Sequence, residues 1–383
     1  MNLGTGLLAR IRPLLDRMPE GAVLAVLSDN PEVRDDLPAW CRLERHGYGG
    51  VERDAQGLDR HLIVRGPHPR WNRSLEDLTN WPARVEASTG LAPRGAWAET
   101  GSPASPFSAL DRDQVSPEDG ARLYAQGAQS QWNVETDIPW ARAAELSPEL
   151  ESAVSQIFSF LAENELAALY VPSRFIARIP PAYVETAQAL ALQLADEARH
   201  IEAFLRRARL RGGPAPLSTV PTAASLLTLF ESEDFTESTF LLSVLGEGTF
   251  LDLLSFVERH APDPITAEIA RRAKLDETRH VHFGLAHVAR ALRSDSTLFS
   301  RLEAAVRRRA LALSGAVVPG PVQDALTVLA AGSTEPGALA RGHDAFRSLL
   351  EVMRENRVKR LRHAGFSDEQ AAILSDLHTP NFM

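Results

Sequence analysis

The sequence contains one pentapeptide twice, with a single substitution between the copies. They are Asp196-Glu197-Ala198-Arg199-His200 and Asp276-Glu277-Thr278-Arg279-His280, which begin 80 positions apart (276 − 196). Each copy lies in an Ala- and Leu-rich stretch whose apolar residues recur with the helical period. Because residues i and i+3 share one face of a helix, each copy points a carboxylate and an imidazole at the same place. The duplication therefore predicts two helices of a bundle that face one shared site.

Each pentapeptide is preceded by another helical stretch that carries a glutamate among apolar residues. The stretch before the first copy, from about Ser147 to Tyr170, offers two candidates, Glu163 and Glu165. Glu165 shares its helix face with apolar residues such as Leu161, whereas Glu163 shares a mixed face with residues such as Ser159. The helical pattern therefore favours Glu165 as the inward carboxylate and leaves Glu163 as the alternative.

The stretch before the second copy, about Thr222 to His260, carries Glu247 between Gly246 and Gly248. Each glycine costs about 1 kcal/mol inside a helix, so the pair predicts a close helix approach or a local bulge at this glutamate. The pentapeptides themselves lie in helices predicted over about Pro181 to Arg211 and Pro264 to Arg293. The lone glutamate precedes the paired one by 32 residues in the first half (197 − 165) and by 30 in the second (277 − 247). Such similar spacing is what a duplicated helical hairpin predicts.

Four inward glutamates would place four negative charges in one folded core. At a separation of about 6 Å and an effective dielectric constant near 20, each pair repels by roughly 2.8 kcal/mol. Two divalent cations would cancel this charge, which a protein interior does not keep unneutralised. Oxygen and imidazole ligands without thiolate suit iron or manganese better than structural zinc. The predicted metal ligands and catalytic residues are Glu165, Glu197, His200, Glu247, Glu277 and His280.

The acids that open the two pentapeptides have a predicted role beside the metal ligands. A ligating histidine normally donates its other ring N–H to a carboxylate, which fixes its tautomer. In a two-fold bundle, Asp276 would then hold His200 and Asp196 would hold His280. Arg199 and Arg279 would balance the charge of these two acids.

The segment that runs from Glu165 through Arg174, followed by the first pentapeptide, resembles the ferritin-like di-iron carboxylate superfamily over about residues 120–295. It is most similar to the oxygen-activating branch, which holds the hydroxylase subunits of bacterial multicomponent monooxygenases, the small subunit of class I ribonucleotide reductase and the aminoarene N-oxygenases. Phe204 stands where the ribonucleotide reductase subunit has its radical tyrosine, so that activity is disfavoured.

The resemblance implies a ferritin-like four-helix bundle and a non-haem di-iron oxygenase or oxidase. Its cofactor would be two iron ions, with manganese or a mixed Mn/Fe pair as alternatives, and O2 would be the co-substrate. The implied substrate is a small or carrier-bound organic molecule that is hydroxylated or N-oxygenated, with electrons from an external donor. Two other functions stay open: an iron-oxidising or peroxide-scavenging protein, and a binding or scaffold protein whose di-metal site is structural.

Residues 1–66 form a predicted small α/β domain in the order helix, strand, helix, strand, strand. This order, together with the segment from Ser28 to Arg42, resembles the TusA-like sulfur-carrier family. The Cys-Pro pair of that family is missing, because this chain has Gly4-Thr5-Gly6-Leu7 in its place. Cys41 is interpreted as a small buried side chain. We therefore expect a degenerate domain that binds a partner or ligand but carries no sulfur.

The remaining stretches complete a multidomain, mainly α-helical chain. Residues 67–110 are rich in Pro and Gly and predict a linker, partly packed through Trp71, Trp81 and Trp97. Residues 111–383 are predicted to hold the di-metal bundle and a C-terminal helical extension. In that extension, helices are expected at Leu302 to Leu313 and His343 to Ala364, followed by a short capped helix after Ser367.

Composition limits the classes of protein to which the chain can belong. At 383 residues it is long enough for two domains. A net charge of −9 and the lack of a basic patch argue against nucleic-acid binding. No uninterrupted apolar run approaches a membrane span, and Met1 to Asp16 has no signal-peptide pattern. With a single cysteine, the chain is expected to be cytoplasmic, and a homodimer is an open expectation.

Overall fold

The chain divides into two units, Met1–Ser105 and Pro106–Met383. The computed structural model describes residues 1–67, 83–84, 90–92, 96–98, 105–109, 111–212, 216–313 and 318–378. Most of the predicted linker, including Trp71 and Trp81, lies outside the described residues, as does the side chain of Trp97. Two short strands within that stretch, β4 (Ala83–Arg84) and β5 (Trp97–Ala98), pair antiparallel.

Within residues 1–67, the first unit contains a three-stranded antiparallel sheet and two α-helices. Its elements are α1 (Leu7–Leu15), β1 (Val23–Ser28), α2 (Pro31–Leu43), β2 (Gly47–Arg53) and β3 (Asp59–Val64), in the predicted order. The strand order is β1-β3-β2, and a bulge shifts the β2–β3 register between Tyr48 and Gly50. Apolar residues of both helices and of alternate strand positions form its core: Leu7, Ile11, Leu15, Val26, Val33, Leu37, Trp40, Cys41 and Ile63.

Four long helical elements form the centre of the second unit. After two short helices, α3 (Gly120–Gln129) and α4 (Val134–Asp137), come α5 (Pro148–Ile176) and α6 (Val184–Ala208). The second half contains α7 (Val220–Thr228), α8 (Phe235–Thr239), a π-helix (Phe240–Glu247), α9 (Gly248–Arg259) and α10 (Pro264–Ser294). Their buried faces carry the apolar positions of the sequence pattern, so most of the core lies between these helices.

In the bundle, two of the predicted helices differ clearly from the structure. Helix α5 continues past Tyr170 and through Pro172 to Ile176, although a proline inside a helix removes a backbone hydrogen bond. Pro172 is buried against neighbouring helices, so tertiary packing outweighs this local penalty. The single helix predicted over about Thr222 to His260 is also wrong, because residues 229–234 interrupt it.

The bulge predicted beside Glu247 is present as the π-helix Phe240–Glu247. Gly284 on α10 lies against this π-helix, and a Cβ at that position would sit only 2.7 Å from Cβ of Ser243. The lack of a side chain at Gly284 therefore permits the close approach of α10 to the π-helix. A π-helix rotates the residues that follow it relative to an α-helix of the same length, so it helps to set where Glu247 points.

The apolar helix in the middle of this unit is a core helix. The stretch Phe235–Arg259 is long and apolar enough to cross a membrane, with a mean hydropathy of 1.6, but 83% of its apolar window is buried inside the protein. This stretch contains no long uninterrupted apolar run, because Ser, Thr, Gly and Glu residues lie between its apolar residues.

Four further helices follow the bundle: α11 (Leu298–Ala312), α12 (Gly320–Ala331), α13 (Pro336–His363) and α14 (Asp368–Leu377). Helix α12 was not among the predicted helices, and Pro319-Gly320-Pro321 stands at its start. Pro321 is tolerated in the first turn of a helix. The predicted capping box is confirmed, since Ser367 caps the backbone N–H of Gln370 while the Gln370 side chain caps Ser367.

A buried ion-pair network joins three bundle helices at one end. Arg207 on α6 is fully buried and donates to Glu151 on α5 (2.7 Å), to Asp263 at the start of α10 (2.7 Å) and to Thr266 (2.9 Å). Each charged group in this network has an oppositely charged partner, so their burial is tolerated.

We predict that Arg207→Leu lowers the free energy of unfolding by about 3–5 kcal/mol, because it leaves buried carboxylates without a partner. Urea denaturation of the metal-free protein measures this loss. The matched variant Arg206→Leu removes an exposed pair with Glu135 and is expected to cost less than about 1 kcal/mol. Equal losses in the two variants would contradict this role of Arg207.

Candidate metal centre

Six predicted side chains come together in the interior of the bundle. Glu165 comes from α5, Glu197 and His200 from α6, Glu247 from the end of the π-helix, and Glu277 and His280 from α10. None of the six residues is more than 4% exposed. They form two overlapping groups, each with four candidate ligand atoms that lie within 4.8 Å of one another. One group contains Glu165, Glu197, His200 and Glu277, and the other contains Glu197, Glu247, Glu277 and His280.

Glu197 and Glu277 belong to both groups, and each points one oxygen toward each imidazole. From His200 Nδ1, Glu197 Oε2 lies at 3.0 Å and Glu277 Oε1 at 3.4 Å. From His280 Nδ1, Glu197 Oε1 lies at 3.0 Å and Glu277 Oε2 at 3.4 Å. Each of these carboxylates can therefore hold two metal ions at once. Glu165 and Glu247 each belong to only one group.

The far side of each imidazole meets an aspartate of the opposite pentapeptide. His200 Nε2 lies 3.1 Å from Asp276 Oδ2, and His280 Nε2 lies 3.2 Å from Asp196 Oδ2. A proton on each Nε2 is donated to this carboxylate, which leaves Nδ1 as the atom that faces the four glutamates. The imidazoles thus present the lone pair that a metal ion requires.

Two arginines neutralise these aspartates. Arg199 donates to Asp196 and, at 2.9 Å, to Asp276. Arg279 donates to Asp276 and, at 3.1 Å, to Asp196. Because each guanidinium spans both acids, the two pentapeptides are tied together on the side of the imidazoles that faces away from the glutamates. The two aspartates and the two arginines form an outer layer around the imidazoles. Their charges cancel without any contribution from the glutamate cluster.

Two residues outside the predicted set reinforce the aspartates. Trp132 Nε1 donates to Asp276 Oδ2 at 2.7 Å, and its ring stacks on His200 with centroids 6.3 Å apart. Gln131 Nε2 donates to Asp196 Oδ1 at 2.9 Å. From the sequence alone, Trp132 is expected to pack in the bundle. Its buried position among apolar residues carried no sign of a hydrogen bond to an acid 144 residues away.

A third missed residue acts on the glutamates directly. Gln193 on α6 is buried, and its Nε2 donates to Glu247 Oε1 at 2.9 Å. It precedes Glu197 by four residues, so it occupies the same helix face as that ligand. The helical spacing from Glu197 shows that Gln193 faces inward, but it does not show that Glu247 is its partner.

Three other residues belong to neither ligand group. Glu163 accepts a hydrogen bond from Ser218 Oγ at 2.6 Å, which places it toward the surface. His287 is buried, pairs with Thr236 Oγ1 at 2.8 Å and packs edge-on against Phe235. Burial lowers the pKa of His287 to about 4, so it is neutral at ordinary pH. Phe204 packs in the core against Phe158 and His200.

The protonation of the metal-free cluster follows from burial and crowded charge. Burial raises the pKa of Glu165 well above its ordinary value, and the charges of Glu197 and Glu277 raise it further. Burial also raises the pKa of Glu247, with Glu277 adding to the effect. A carboxyl group in such surroundings holds its proton to higher pH.

The two imidazoles are affected in the opposite way. Burial alone lowers the pKa of His200, but its hydrogen bonds to Asp276 and Glu165 outweigh burial and hold the pKa well above its ordinary value. For His280, attraction to Glu197 and Glu277 likewise outweighs burial and raises the pKa. Protons on the imidazoles therefore supply, in the metal-free protein, part of the positive charge that the glutamates require.

The donor set fits a pair of divalent metal ions. Both carboxylate oxygens of Glu277 and Oε2 of Glu247 are buried and have no hydrogen-bond donor among the described residues. Such atoms are costly unless a cation satisfies them. Four carboxylates carry the charge that two divalent ions cancel, and two imidazole nitrogens complete a mixed oxygen and nitrogen set. The arrangement is therefore suited to a dinuclear centre.

Comparison with solved structures identifies the fold. Two structures of R2-like ligand-binding oxidase variants, one with an aerobically reconstituted Fe/Fe cofactor and one with an aerobically reconstituted Mn/Fe cofactor, each superimpose with a TM-score of 0.50 at 17% sequence identity. Each match covers 65% of this chain and 93% of the other chain. No protein-family model and no curated protein matches the sequence. The similarity confirms the predicted ferritin-like fold.

We predict that Asp276→Asn weakens metal binding by roughly 10–100-fold, because it removes the carboxylate that orients His200. Competition with a chromophoric chelator measures the affinity. Glu268→Gln makes the same carboxylate-to-amide change on α10 at a surface pair with Arg271 and is expected to leave the affinity within about two-fold. A similar loss in both variants would contradict a specific role for Asp276.

We also predict that metal uptake releases protons and weakens as pH falls. The raised pKa values of His200 and His280 mean that both imidazoles are protonated near neutral pH in the metal-free protein. Each proton that a metal ion displaces makes the affinity fall by roughly tenfold per pH unit below that pKa. Titrations from pH 6 to 8 in a pH-indicator solution measure both quantities. An affinity independent of pH, with no proton release, would contradict this protonation state.

Proposed function

We propose that the chain is a dioxygen-activating, non-haem di-iron oxidoreductase that acts on a small or carrier-bound organic substrate. The observation that carries the proposal is the pair of overlapping ligand groups joined by Glu197 and Glu277. The fold similarity to R2-like ligand-binding oxidases with Fe/Fe and Mn/Fe cofactors supports the same class of centre. Two iron ions are proposed, with manganese or a mixed pair as alternatives.

Each side chain of the cluster has a proposed task. Glu165 and His200 would hold one metal ion, Glu247 and His280 the other, and Glu197 and Glu277 would join the two. Asp196, Asp276, Arg199 and Arg279 would keep the imidazoles oriented and electrically balanced. When bound, the two metal ions would supply the redox chemistry that dioxygen needs for reaction with an organic molecule.

A small cavity of about 10 Å³ lies beside the cluster, with room for about one water molecule. Its polar lining residues are Gln193, Ser238, Thr239 and Ser243, and the rest of its lining is apolar: Val171, Pro172, Phe175, Leu190, Phe235, Leu242 and Phe283. A mainly apolar lining favours an apolar group over a hydrated ion.

Oxygen insertion also requires electrons from outside the chain. Hydroxylation of a C–H or N–H bond by dioxygen places one oxygen atom in the product and reduces the other to water. The second oxygen consumes two electrons and two protons, so we propose an external electron donor as partner. A homodimer and a cytoplasmic location remain proposals based on composition alone.

For the first unit, we propose a binding role without sulfur transfer, as its resemblance to the TusA-like family suggests. Cys41 is fully buried, and burial raises the pKa of its thiol to about 11. A buried thiol of this kind is a poor nucleophile at neutral pH. These properties support the interpretation of Cys41 as a packing residue.

The test of the proposed function is oxygen consumption by protein loaded anaerobically with Fe(II), with and without a reductant and a panel of small aromatic amines and apolar acids. We expect reductant-dependent consumption that yields an oxygenated product. Glu165→Gln should lower the rate by more than about 100-fold, because it removes a metal ligand. Glu163→Gln, two residues away on the outer face of the same helix, should leave the rate unchanged.

Three results would contradict the proposal in different ways. Fe(II) oxidation without any effect of organic compounds would indicate an iron-oxidising protein. Bound metal that does not react with oxygen would indicate a structural site. Equal losses in Glu165→Gln and Glu163→Gln would exclude the assigned ligand set.

A further inference from the structure

The cluster contains one asymmetry that its duplicated sequence does not predict. Shifting the first pentapeptide by 80 positions matches Glu197 to Glu277 and His200 to His280. The same shift carries Gln193, which lies four residues before Glu197, onto Ala273. Both residues are buried, with exposures of 4% for Gln193 and 0% for Ala273. Only the first half of the duplication therefore has an amide at this place.

The amide of Gln193 reaches across the bundle to the lone glutamate of the other half. Gln193 Nε2 donates to Glu247 Oε1 at 2.9 Å, which ties α6 to the end of the π-helix. Ser243 stands one turn before Glu247, and its hydroxyl lowers the pKa of this carboxyl group. Glu247 Oε2 has no hydrogen-bond donor among the described residues. One oxygen of Glu247 is thus held by the Gln193 amide, and the other is left for a metal ion.

The equivalent carboxylate of the first half, Glu165, has apolar residues at the two positions that match Ser243 and Gln193. Leu161 lies one turn before Glu165, where the second half has Ser243. Ala273, the counterpart of Gln193, cannot donate a hydrogen bond. The recorded polar neighbour of Glu165 Oε1 is His200 Nδ1 at 3.3 Å, an atom that a metal ion would itself bind. Glu165 is therefore buried but not oriented by an amide or hydroxyl at either of these two positions.

We infer that Gln193 is a positioning residue that makes the two metal positions unequal. This inference rests on the proposed dinuclear centre. The position formed by Glu247 and His280 is pre-organised, so it binds the first metal ion more tightly. The position formed by Glu165 and His200 binds the second ion more weakly, because Glu165 loses more conformational freedom on binding. Glu165 also retains the freedom to change its binding mode when a further ligand arrives.

The hydrogen bond from the Gln193 amide accounts for the difference between the two metal positions. Gln193 is neutral, so it does not alter the net charge of the cluster. Its hydrogen bond instead fixes which oxygen of Glu247 faces the metal position. Hydrogen bonds of this kind to ligating carboxylates commonly change metal affinity by 10–100-fold.

The test is an anaerobic titration of the metal-free, full-length protein with Co(II), followed by calorimetry and by visible absorption. We expect two binding steps whose dissociation constants differ by about tenfold or more. Gln193→Ala, which reproduces the alanine of the other half, should weaken the tighter step by about tenfold or more, so that the two steps merge. Gln188→Ala, an exposed glutamine on the same helix, should leave both steps unchanged.

A purely structural role for Gln193 makes a different prediction. It would lower the Tm of the metal-free protein while the separation between the two binding steps stayed as in the unaltered protein. Gln193→Leu preserves most of the side-chain volume and serves as the second variant if the alanine form does not fold. Merged steps in folded Gln193→Leu would support the inference.

The outcomes separate this inference from the proposed function. Fewer than two bound Co(II) ions in the unaltered protein would overturn the dinuclear centre itself. Two ions bound with equal affinity would overturn only the inequality of the positions. Two unequal steps that persist in both folded Gln193 variants would overturn the role of Gln193 and leave the dinuclear centre intact.

Discussion

The mutual repulsion of four buried carboxylates is the constraint on which the bundle depends. Glu165, Glu197, Glu247 and Glu277 all lie in the interior, where charge is poorly screened and each pair repels strongly. The protein meets this constraint in two layers. Asp196 and Asp276 are balanced by Arg199 and Arg279, while the four glutamates are left for cations. Because the outer layer is already neutral, the inner layer has a charge that matches two divalent ions.

The same layers explain why the metal-free protein can hold this arrangement. The imidazoles lie between glutamates on one side and aspartates on the other, so carboxylates surround both ring nitrogens. Protonated imidazoles then supply positive charge where a metal ion would otherwise lie, which accounts for the raised pKa values of His200 and His280. Protons and metal ions therefore compete for one set of atoms. Without metal, the protons balance part of the negative charge of the four glutamates.

The sequence predicted the six clustered side chains because their geometry is local. The i, i+3 spacing places each Glu-x-x-His on one helix face, and the apolar neighbours of Glu165 turn it inward while Glu163 turns outward. The contacts of Gln131, Trp132 and Gln193 were not predictable in this way. Their partners lie 65, 144 and 54 residues away, and a single sequence does not show which distant side chains will meet. The missed helix α12 and the continuation of α5 through Pro172 likewise depend on tertiary packing that outweighs local preference.

The duplicated pentapeptides account for the ligands that the two halves share. The residues that differ between the halves give Glu247 and Glu165 unequal surroundings. Two identical metal positions would offer an incoming ligand no preferred place to bind. In this chain Glu247 ends a π-helix that contains Ser243 and accepts a hydrogen bond from Gln193 of the other half, whereas Leu161 and Ala273 stand at the matching positions for Glu165. The cluster therefore combines one carboxylate that is fixed by a hydrogen bond, Glu247, with one that is less constrained, Glu165. Gln193 and Ser243, which lie near Glu247, also line the cavity beside the cluster. A substitution of Gln193 would thus change both the support of Glu247 and the lining of the cavity.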